Sequence, residues 1–324
     1  MRIHIQNAPD DPLFAITLRQ WEEAEARAGE AGRGHALSVG DTPAALAAGL
    51  ASAEAVIAPP AAVAAPFSAP RLRLIFCTTA GVDALAPFAH LPPDALLVCN
   101  RGIHGEKAGE YAMMAILMLA AEMPALIAAQ AEGSWQPRYT PSLAGRRLCI
   151  VGLGALGAAA AARATGFGMH VTAITRTGAS HPACPAVRPV AALDRALAEA
   201  EFLLLACPLT PASRNLVDRR RLALLPFGAG VVNIGRGAVL DEDALADLLD
   251  AGRLGGAVLD VFSREPLPPG HRLWRTRNLV LTPHIAADDP ATYNARTLDR
   301  FFAALAALRR GDAVPNTVDL SRGY

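Results

Sequence analysis

The sequence lacks an excess of charge of either sign. Its 324 residues include 30 lysines and arginines against 30 aspartates and glutamates, so the formal net charge is zero. Proteins that bind nucleic acids or anionic membranes through electrostatics carry broad basic surfaces. The balance argues against a nucleic-acid partner and favours a small-molecule substrate.

Cysteine is scarce and is not arranged for metal binding. The five cysteines are widely spaced, none forms a CxxC pair, and no histidine cluster accompanies them. Structural zinc sites use closely spaced thiolate and imidazole ligands, so we expect no metal. Most of the cysteines lie in apolar runs. This pattern predicts buried, unpaired thiols in a protein of a reducing compartment. Residues 1–5 alternate like a strand and lack the apolar core of a signal peptide, so we expect a cytoplasmic protein.

The only long apolar run, residues 111–131, has about the length of a membrane span. Glu122 and Pro124 lie in its middle, and Glu106 and Lys107 lie just before it. A charge and a helix breaker at that depth are uncommon in membranes. We expect a long buried helix, kinked near Pro124, and no membrane partner.

The rest of the sequence alternates short apolar runs with alanine-rich helical stretches. Helices are predicted at residues 13–28, 44–53 and 155–167. Strands are predicted at residues 3–6, 55–58, 73–77, 95–99, 146–152, 169–175, 202–206, 231–234, 257–261 and 280–282. Strands that alternate with helices predict parallel sheets with both faces covered.

A glycine-rich turn follows the strand that is predicted to begin at residue 146. Gly152, Gly154 and Gly157 form a GxGxxG motif that leads directly into a predicted helix. We expect Gly152 to permit the tight turn, Gly154 to let a pyrophosphate approach the backbone, and Gly157 to let helix and strand pack closely. Ala155 and Leu156 begin the helix, whose N-terminus offers unpaired N–H groups and a positive dipole end to an anion.

The acidic residue that holds the adenosine ribose in many dinucleotide-binding folds is missing here. Thr175 stands at the end of the second strand in its place, and Arg176 follows. A guanidinium between two hydroxyls would bind a 2′-phosphate, which a carboxylate would repel. The pattern favours NADP over NAD, and the alternative is that Arg176 lies over the adenine of NAD.

Three later segments end strands with reactive side chains, at residues 231–237, 259–266 and 281–287. They resemble the arginine, glutamate and histidine signatures of the D-isomer-specific 2-hydroxyacid dehydrogenase family, and the resemblance runs from about residue 78 to about residue 287. Within this family the segments 260–268 and 273–275 are most similar to the glyoxylate and hydroxypyruvate reductases, which commonly use NADPH. The resemblance implies the reduction of a small 2-keto acid to a D-2-hydroxy acid by NAD(P)H.

The resemblance also implies the fold class, which is α/β with two doubly wound parallel-sheet domains and a cleft between them. Residues 101–286 would form a Rossmann NAD(P)-binding domain, and residues 1–100 with 287–324 a flavodoxin-like substrate-binding (catalytic) domain. In the family the apolar run lies at a two-fold interface. We therefore expect a homodimer formed through residues 101–135.

Reduction of a keto acid needs a fixed cation and a proton donor, and three residues of these segments match that need. Arg236 offers a fork of donors for the substrate carboxylate and keto oxygen. His284 can supply a proton near neutral pH, and Glu265 can orient its imidazole and raise its pKa. Singly, each has a simpler interpretation as a turn or solvated residue. Their combination with the glycine motif favours catalysis.

The family pattern assigns further roles by resemblance. Ala80, Gly81 and Val82 match the substrate loop and would bind the substrate through main-chain N–H groups, together with Arg236 and His284. Besides the glycine turn, Thr175 and Arg176, the residues expected to contact the cofactor are Cys207, Pro208, Ile234, Arg236, Asp260, His284 and Ala286. Asp260 would lie near the nicotinamide, and the alternative is that it caps a turn.

Two other functions remain open from the sequence alone. A nucleotide-sensing, corepressor-like binding protein would share the fold, and so would an enzyme that acts on amino acids. A sensor needs no proton donor, so the joint presence of Arg236, Glu265 and His284 favours the enzyme. The choice among 2-keto acids depends on a few pocket side chains and stays open.

The cofactor prediction can be tested at Arg176. In Arg176→Asp a carboxylate would repel the 2′-phosphate of NADPH, so we expect the ratio of kcat/KM for NADPH over NADH to fall by tenfold or more, which is about 1.4 kcal/mol. Steady-state kinetics with both nucleotides measures this ratio. An unchanged ratio would show that Arg176 does not contact the ribose phosphate.

Overall fold

The computed structural model describes all of residues 1–324. Contacts divide the chain into two compact units: the terminal unit, Met1–Ile103 with Asp289–Tyr324, and the central unit, His104–Asp288. The boundaries expected from the sequence, after residues 100 and 286, lie two to three residues earlier. Each unit contains one parallel sheet.

The chain forms twelve strands and nine α-helices. The strands are β1 (Arg2–Gln6), β2 (Ala36–Gly40), β3 (Ala55–Ala58), β4 (Leu74–Cys77), β5 (Leu96–Cys99), β6 (Arg147–Val151), β7 (His170–Thr175), β8 (Ala186–Pro189), β9 (Phe202–Leu205), β10 (Gly230–Asn233), β11 (Gly256–Leu259) and β12 (Leu279–Leu281). The helices are α1 (Leu18–Ala28), α2 (Pro43–Leu50), α3 (Gly105–Ala120), α4 (Met123–Ala131), α5 (Ala155–Gly166), α6 (Leu193–Glu199), α7 (Arg219–Leu224), α8 (Glu242–Asp250) and α9 (Tyr293–Arg310).

The terminal unit has the strand order β2-β1-β3-β4-β5, which is the flavodoxin-like order. Its core joins both ends of the chain, because α9 packs on α1 and on the sheet. The ring of Trp21 in α1 lies 4.9 Å from that of Phe302, and Phe76 of β4 packs edge-on against Phe301 at 5.7 Å. The C-terminal helix therefore completes the hydrophobic core that the first hundred residues begin.

The central unit has the strand order β12-β11-β10-β9-β6-β7-β8. This is the Rossmann order with a seventh strand at one edge. All strands are parallel, and the order in which they are added to the sheet reverses between β6 and β9. The inner strand β9 is buried on both faces, which explains its unbroken apolar sequence. The expected fold class of two doubly wound parallel-sheet α/β units is confirmed.

Two strands were not predicted from the sequence, and both lie at sheet edges. The residues of β2 are mostly exposed, and β8 has no buried residue. Edge strands bury little apolar surface, so the periodic signal is weak. The helix predicted at residues 13–28 begins five residues later, where Thr17 and Gln20 form a capping box at the start of α1.

The long buried helix expected at residues 111–131, kinked near Pro124, is interrupted close to the expected position, but the interruption is a break between two helices and the second helix is mostly not buried. The run forms α3 and α4, which are bent by 64°. Glu122 adopts the left-handed conformation with φ of 50°, and Pro124 lies in the first turn of α4, where a missing N–H is tolerated. Much of α3 is buried, whereas only Ala129 of α4 is. No helix is by itself long and apolar enough to span a membrane; only the bent pair reaches that length and hydropathy.

Candidate active site

The carboxyl ends of six parallel strands in the central unit carry the predicted site residues. Across the sheet these are His284 and Ala286 after β12, Asp260 after β11, Ile234 and Arg236 after β10, Cys207 and Pro208 after β9, Gly152 after β6, and Thr175 with Arg176 at the end of β7. Because the strands are parallel, these ends share one edge of the sheet. Open α/β sheets bind ligands at this edge.

The glycine turn fits a pyrophosphate. Gly152 has φ of 96°, and a Cβ there would lie 2.7 Å from the backbone N of Cys207. At Gly157 a Cβ would lie 2.0 Å from the carbonyl oxygen of Gly152, so α5 could not approach β6. At Gly154 a Cβ would meet no protein atom within 4 Å. Protein packing therefore requires two of the glycines, while the third faces open space at the N-terminus of α5, where a phosphate would be bound.

The end of β7 is compatible with a phosphorylated ribose. The Thr175 hydroxyl oxygen accepts a hydrogen bond of 2.9 Å from the N–H of Gly178, so its proton is available to a ligand. Arg176 is exposed in the same turn. The turn 175–178 carries no carboxylate that would repel a 2′-phosphate.

Cys207 packs between two turns of the site. A Cβ at Gly152 would contact its backbone N, and a Cβ at Gly235 would lie 2.9 Å from its carbonyl oxygen. Burial raises the pKa of the Cys207 thiol to about 11, so the thiol is protonated at neutral pH and is a poor nucleophile. The next residue, Pro208, accepts a hydrogen bond of 2.7 Å from the hydroxyl of Ser213, which braces this loop.

Arg236 lies on a turn that Asn233 holds. The buried Asn233 side chain accepts from the N–H of Gly235 at 3.1 Å and donates to the carbonyl of Arg236 at 3.1 Å. A Cβ at Gly237 would lie 1.9 Å from the backbone of Phe262, so only glycine lets this turn touch the loop that carries Glu265. Asn233 was not among the predicted site residues. The sequence signal that could have found it is a polar side chain at the end of a fully buried strand.

Glu265 and His284 form a hydrogen-bonded ion pair. The imidazole Nδ1 lies 2.7 Å from Oε2 of Glu265, and Oε1 of Glu265 accepts from the N–H of Phe262 at 2.8 Å. The hydrogen bond to Glu265 raises the pKa of His284 above 6.5, against the effect of burial. Since Nδ1 is bound to Glu265, Nε2 is the imidazole nitrogen that can give a proton to a ligand.

Arg236 acts electrostatically on both members of this pair. Burial opposes the charge of Glu265, but the hydrogen bonds from His284 and Phe262 and the charge of Arg236 together lower the pKa of Glu265. The same guanidinium opposes protonation of His284, although less strongly than Glu265 favours it. The structure therefore brings together the guanidinium, carboxylate and imidazole that the sequence analysis selected.

Asp260 holds the turn that carries His284. Its buried carboxylate accepts hydrogen bonds from Thr282 Oγ1 at 2.6 Å and from the N–H groups of Ile285 and Ala286, both at 2.9 Å. Its carbonyl oxygen accepts from the N–H of His284 at 2.8 Å. These contacts favour turn capping as the role of Asp260, and its contact with the nicotinamide stays a prediction.

The predicted substrate loop lies in the terminal unit, directly after β4. The carbonyl of Thr78 accepts hydrogen bonds of 2.7 Å from Asn100 Nδ2 and from the Tyr293 hydroxyl, which fix the start of the loop. The Thr79 hydroxyl donates to the carbonyl of Gly81 at 2.7 Å. The contacts of Asn100 and Tyr293 with this loop had no signal in the sequence, and the use of Ala80, Gly81 and Val82 in substrate binding stays a prediction.

The fold and this site define a class, that of nicotinamide-nucleotide-binding α/β proteins. Residues 113–286 match the family model described as D-isomer specific 2-hydroxyacid dehydrogenase, NAD binding domain. The chain belongs to the D-isomer-specific 2-hydroxyacid dehydrogenase family. It is an oxidoreductase, and its cofactor is NAD or NADP.

Solved structures support this assignment over the whole chain. The chain is 28% identical to a D-isomer specific 2-hydroxyacid dehydrogenase from Xanthobacter autotrophicus Py2 in complex with NADPH and MES, with a TM-score of 0.83 over 100% of this chain and 99% of that one. It is 28% identical to a family protein from Aeromonas salmonicida, with a TM-score of 0.84 over 98% and 99%. It is 27% identical to an NADPH-dependent glyoxylate/hydroxypyruvate reductase from Sinorhizobium meliloti, with a TM-score of 0.81 over 100% and 99%.

The Glu265–His284 pair predicts a titration effect. In Glu265→Gln the imidazole loses the partner charge, so we expect the pKa of His284 to fall toward 6.5. The folded wild type binds this proton more tightly than the unfolded chain does, so the pair stabilises the fold below pH 6.5, and that stability is lost as the pH rises through the raised pKa. NMR of the imidazole ring measures the pKa, with Glu23→Gln on the exposed face of α1 as the control. A His284 pKa equal in wild type and Glu265→Gln would contradict the assignment.

Proposed function

We propose that the protein uses NADPH to reduce a small 2-keto acid, of the glyoxylate or hydroxypyruvate type, to the D-2-hydroxy acid. The observation that carries the proposal is the Glu265–His284 pair, 2.7 Å between Nδ1 and Oε2, at the sheet edge that also bears Arg236 and the glycine turn. The substrate class is supported by the similarity to the Sinorhizobium meliloti reductase.

In the proposed reaction the cofactor supplies the hydride, and the protein binds the substrate and supplies the proton. The nicotinamide, when bound, supplies the hydride. Arg236 binds the substrate carboxylate and polarises the keto oxygen with its forked donors. His284 gives the proton on Nε2 to that oxygen, so one hydride and one proton convert the carbonyl to an alcohol. Glu265 keeps the imidazole in the tautomer and charge state that this step needs.

The preference for NADPH rests on the end of β7. The exposed guanidinium of Arg176 and the unengaged hydroxyl proton of Thr175 are suited to a 2′-phosphate. The relatives from Xanthobacter autotrophicus and Sinorhizobium meliloti hold NADPH and NADP, which supports the same preference.

The proposal is tested by a substrate panel with wild type and His284→Ala. We expect wild type to oxidise NADPH in the presence of glyoxylate or hydroxypyruvate, and the variant to lose a factor of about 100 or more in kcat, because it lacks the general acid. Its affinity for NADPH, from fluorescence titration, should be nearly unchanged. His170→Ala is the matched control, since His170 is exposed at the opposite, amino end of β7.

Each contrary result points to a different error. Undiminished turnover in His284→Ala would remove His284 from the mechanism. Tight NADPH binding without turnover of any keto acid would favour a nucleotide-sensing protein. Turnover of imino acids in place of keto acids would favour an enzyme that acts on amino acids.

We further propose a cytoplasmic homodimer formed through residues 101–135. The cytoplasmic location is supported by the unpaired, mostly buried thiols. The large apolar side chains exposed in this stretch are Met114, Leu117, Met123, Ile127 and Trp135. An apolar surface of this kind is typical of a protein–protein interface.

The dimer is tested by sedimentation equilibrium. Leu117→Glu combined with Ile127→Glu places two charges in the apolar surface, and we expect this variant to be monomeric at concentrations where wild type is dimeric. The control is Phe227→Glu, because Phe227 is 81% exposed outside this stretch. If wild type sediments as a monomer, or the double variant still dimerises, the interface is elsewhere or absent.

A further inference from the structure

A line of hydrogen bonds runs from helix α3 to the turn that carries His284. The side chain of Tyr111, in α3, is only 8% exposed, and its hydroxyl is hydrogen-bonded to Thr282 Oγ1. Thr282 Oγ1 lies 2.6 Å from Oδ1 of Asp260. Tyr111 lies outside the strand-end loops that carry the candidate site residues.

The direction of these bonds follows from the number of protons. The Asp260 carboxylate accepts only, so the single hydroxyl proton of Thr282 goes to it. The Thr282 oxygen must then accept from Tyr111, which is the donor at the start of the line. Burial raises the pKa of Tyr111, so its hydroxyl keeps the proton that this bond needs.

The line ends in backbone that is held in a strained conformation. His284 has φ of 56°, a left-handed conformation that is unfavourable for a residue with a side chain. Such a conformation persists only where neighbouring contacts fix it. Three hydrogen bonds to Asp260 fix this turn. The N–H groups of Ile285 and Ala286 donate to its carboxylate, and the N–H of His284 donates to the backbone carbonyl of Asp260.

We propose that Tyr111 is a positioning residue for His284. Its hydroxyl orients Thr282, Thr282 fixes one oxygen of Asp260, and Asp260 holds the turn 284–286 in the conformation that points the imidazole at Glu265. Without the Tyr111 proton, the partly buried Thr282 oxygen has an unused acceptor and the hydroxyl can rotate away from Asp260. The effect on turnover rests on the proposed function, whereas the effect on the turn does not.

Tyr111 ties the turn to an element outside the strand-end loops. The charged groups around the imidazole, Glu265, Arg236 and Asp260, all lie on loops that follow strands of one sheet edge. Helix α3 is a 16-residue element with a largely buried face. A hydrogen bond from it anchors the histidine turn to the core of the central unit.

The positioning is tested by amide hydrogen exchange on the full chain without added ligands. In Tyr111→Phe the ring still fills its site, and we expect the amides of Ile285 and Ala286 to exchange about three- to tenfold faster, which corresponds to the loss of one net hydrogen bond. Thr282→Val should speed these amides further, and Thr282→Ser should restore them. Amides of β6 serve as the internal reference for global stability.

A double variant distinguishes an effect of Tyr111 that passes through Thr282 from a general loss of stability. Because Tyr111 acts through Thr282, Tyr111→Phe should add nothing to Thr282→Val, so the two changes together should match Thr282→Val alone. Tyr139→Phe, at a tyrosine that is 96% exposed, is the control. Exchange in Tyr111→Phe equal to that control, or an undiminished effect in the Thr282→Val background, would overturn the proposal.

Kinetics distinguish this inference from the proposed function. We expect Tyr111→Phe to lower kcat about three- to tenfold with little change in KM for the keto acid, because the proton donor is displaced while Arg236 still binds the carboxylate. Faster exchange with unchanged kcat would support the positioning of the turn and contradict its effect on turnover, while the role of His284 itself is tested by His284→Ala. Unchanged exchange would overturn the positioning whatever the kinetics show.

Discussion

The buried carboxylate of Asp260 is the contact on which the candidate site depends. The carboxylate accepts hydrogen bonds from a threonine hydroxyl and two backbone N–H groups of one short turn. The backbone carbonyl of Asp260 accepts a bond from a third N–H of the same turn. A buried carboxylate with fewer donors would be strongly unfavourable, so the turn has little freedom to reshape. The left-handed backbone of His284 is sustained by this requirement.

The chemistry of the site follows from a balance of charges around one imidazole. Glu265 raises the pKa of His284 and Arg236 opposes the rise, while Arg236 and His284 both lower the pKa of Glu265. Glycine at position 237 lets the arginine turn touch the glutamate loop, which brings these charges together. Packing and electrostatics are therefore linked, since a single added methyl group would separate the turns.

The sequence predicted the inner strands and the glycine turn because their signals are local. A buried parallel strand is an unbroken apolar run, and a GxGxxG motif needs only its preceding strand and following helix. The edge strands β2 and β8 were not predicted from the sequence, because they bury little apolar surface and so have a weak periodic pattern. Pro124 indicated a kink in the apolar run, but the left-handed residue Glu122, which ends α3 and starts a separate helix, has no periodic signal.

What the sequence determined by itself was the class of fold and the nucleotide motif, and it predicted Arg236, Glu265 and His284 as the reactive groups, because residue type and order along the chain carry that information. Only the tertiary structure decided which groups support them. Asn233 under the arginine turn and Tyr111 beside Thr282 act through bonds whose partners are set by packing. Tyr111 and Thr282 are 171 residues apart, and no local pattern links two positions so distant in the chain.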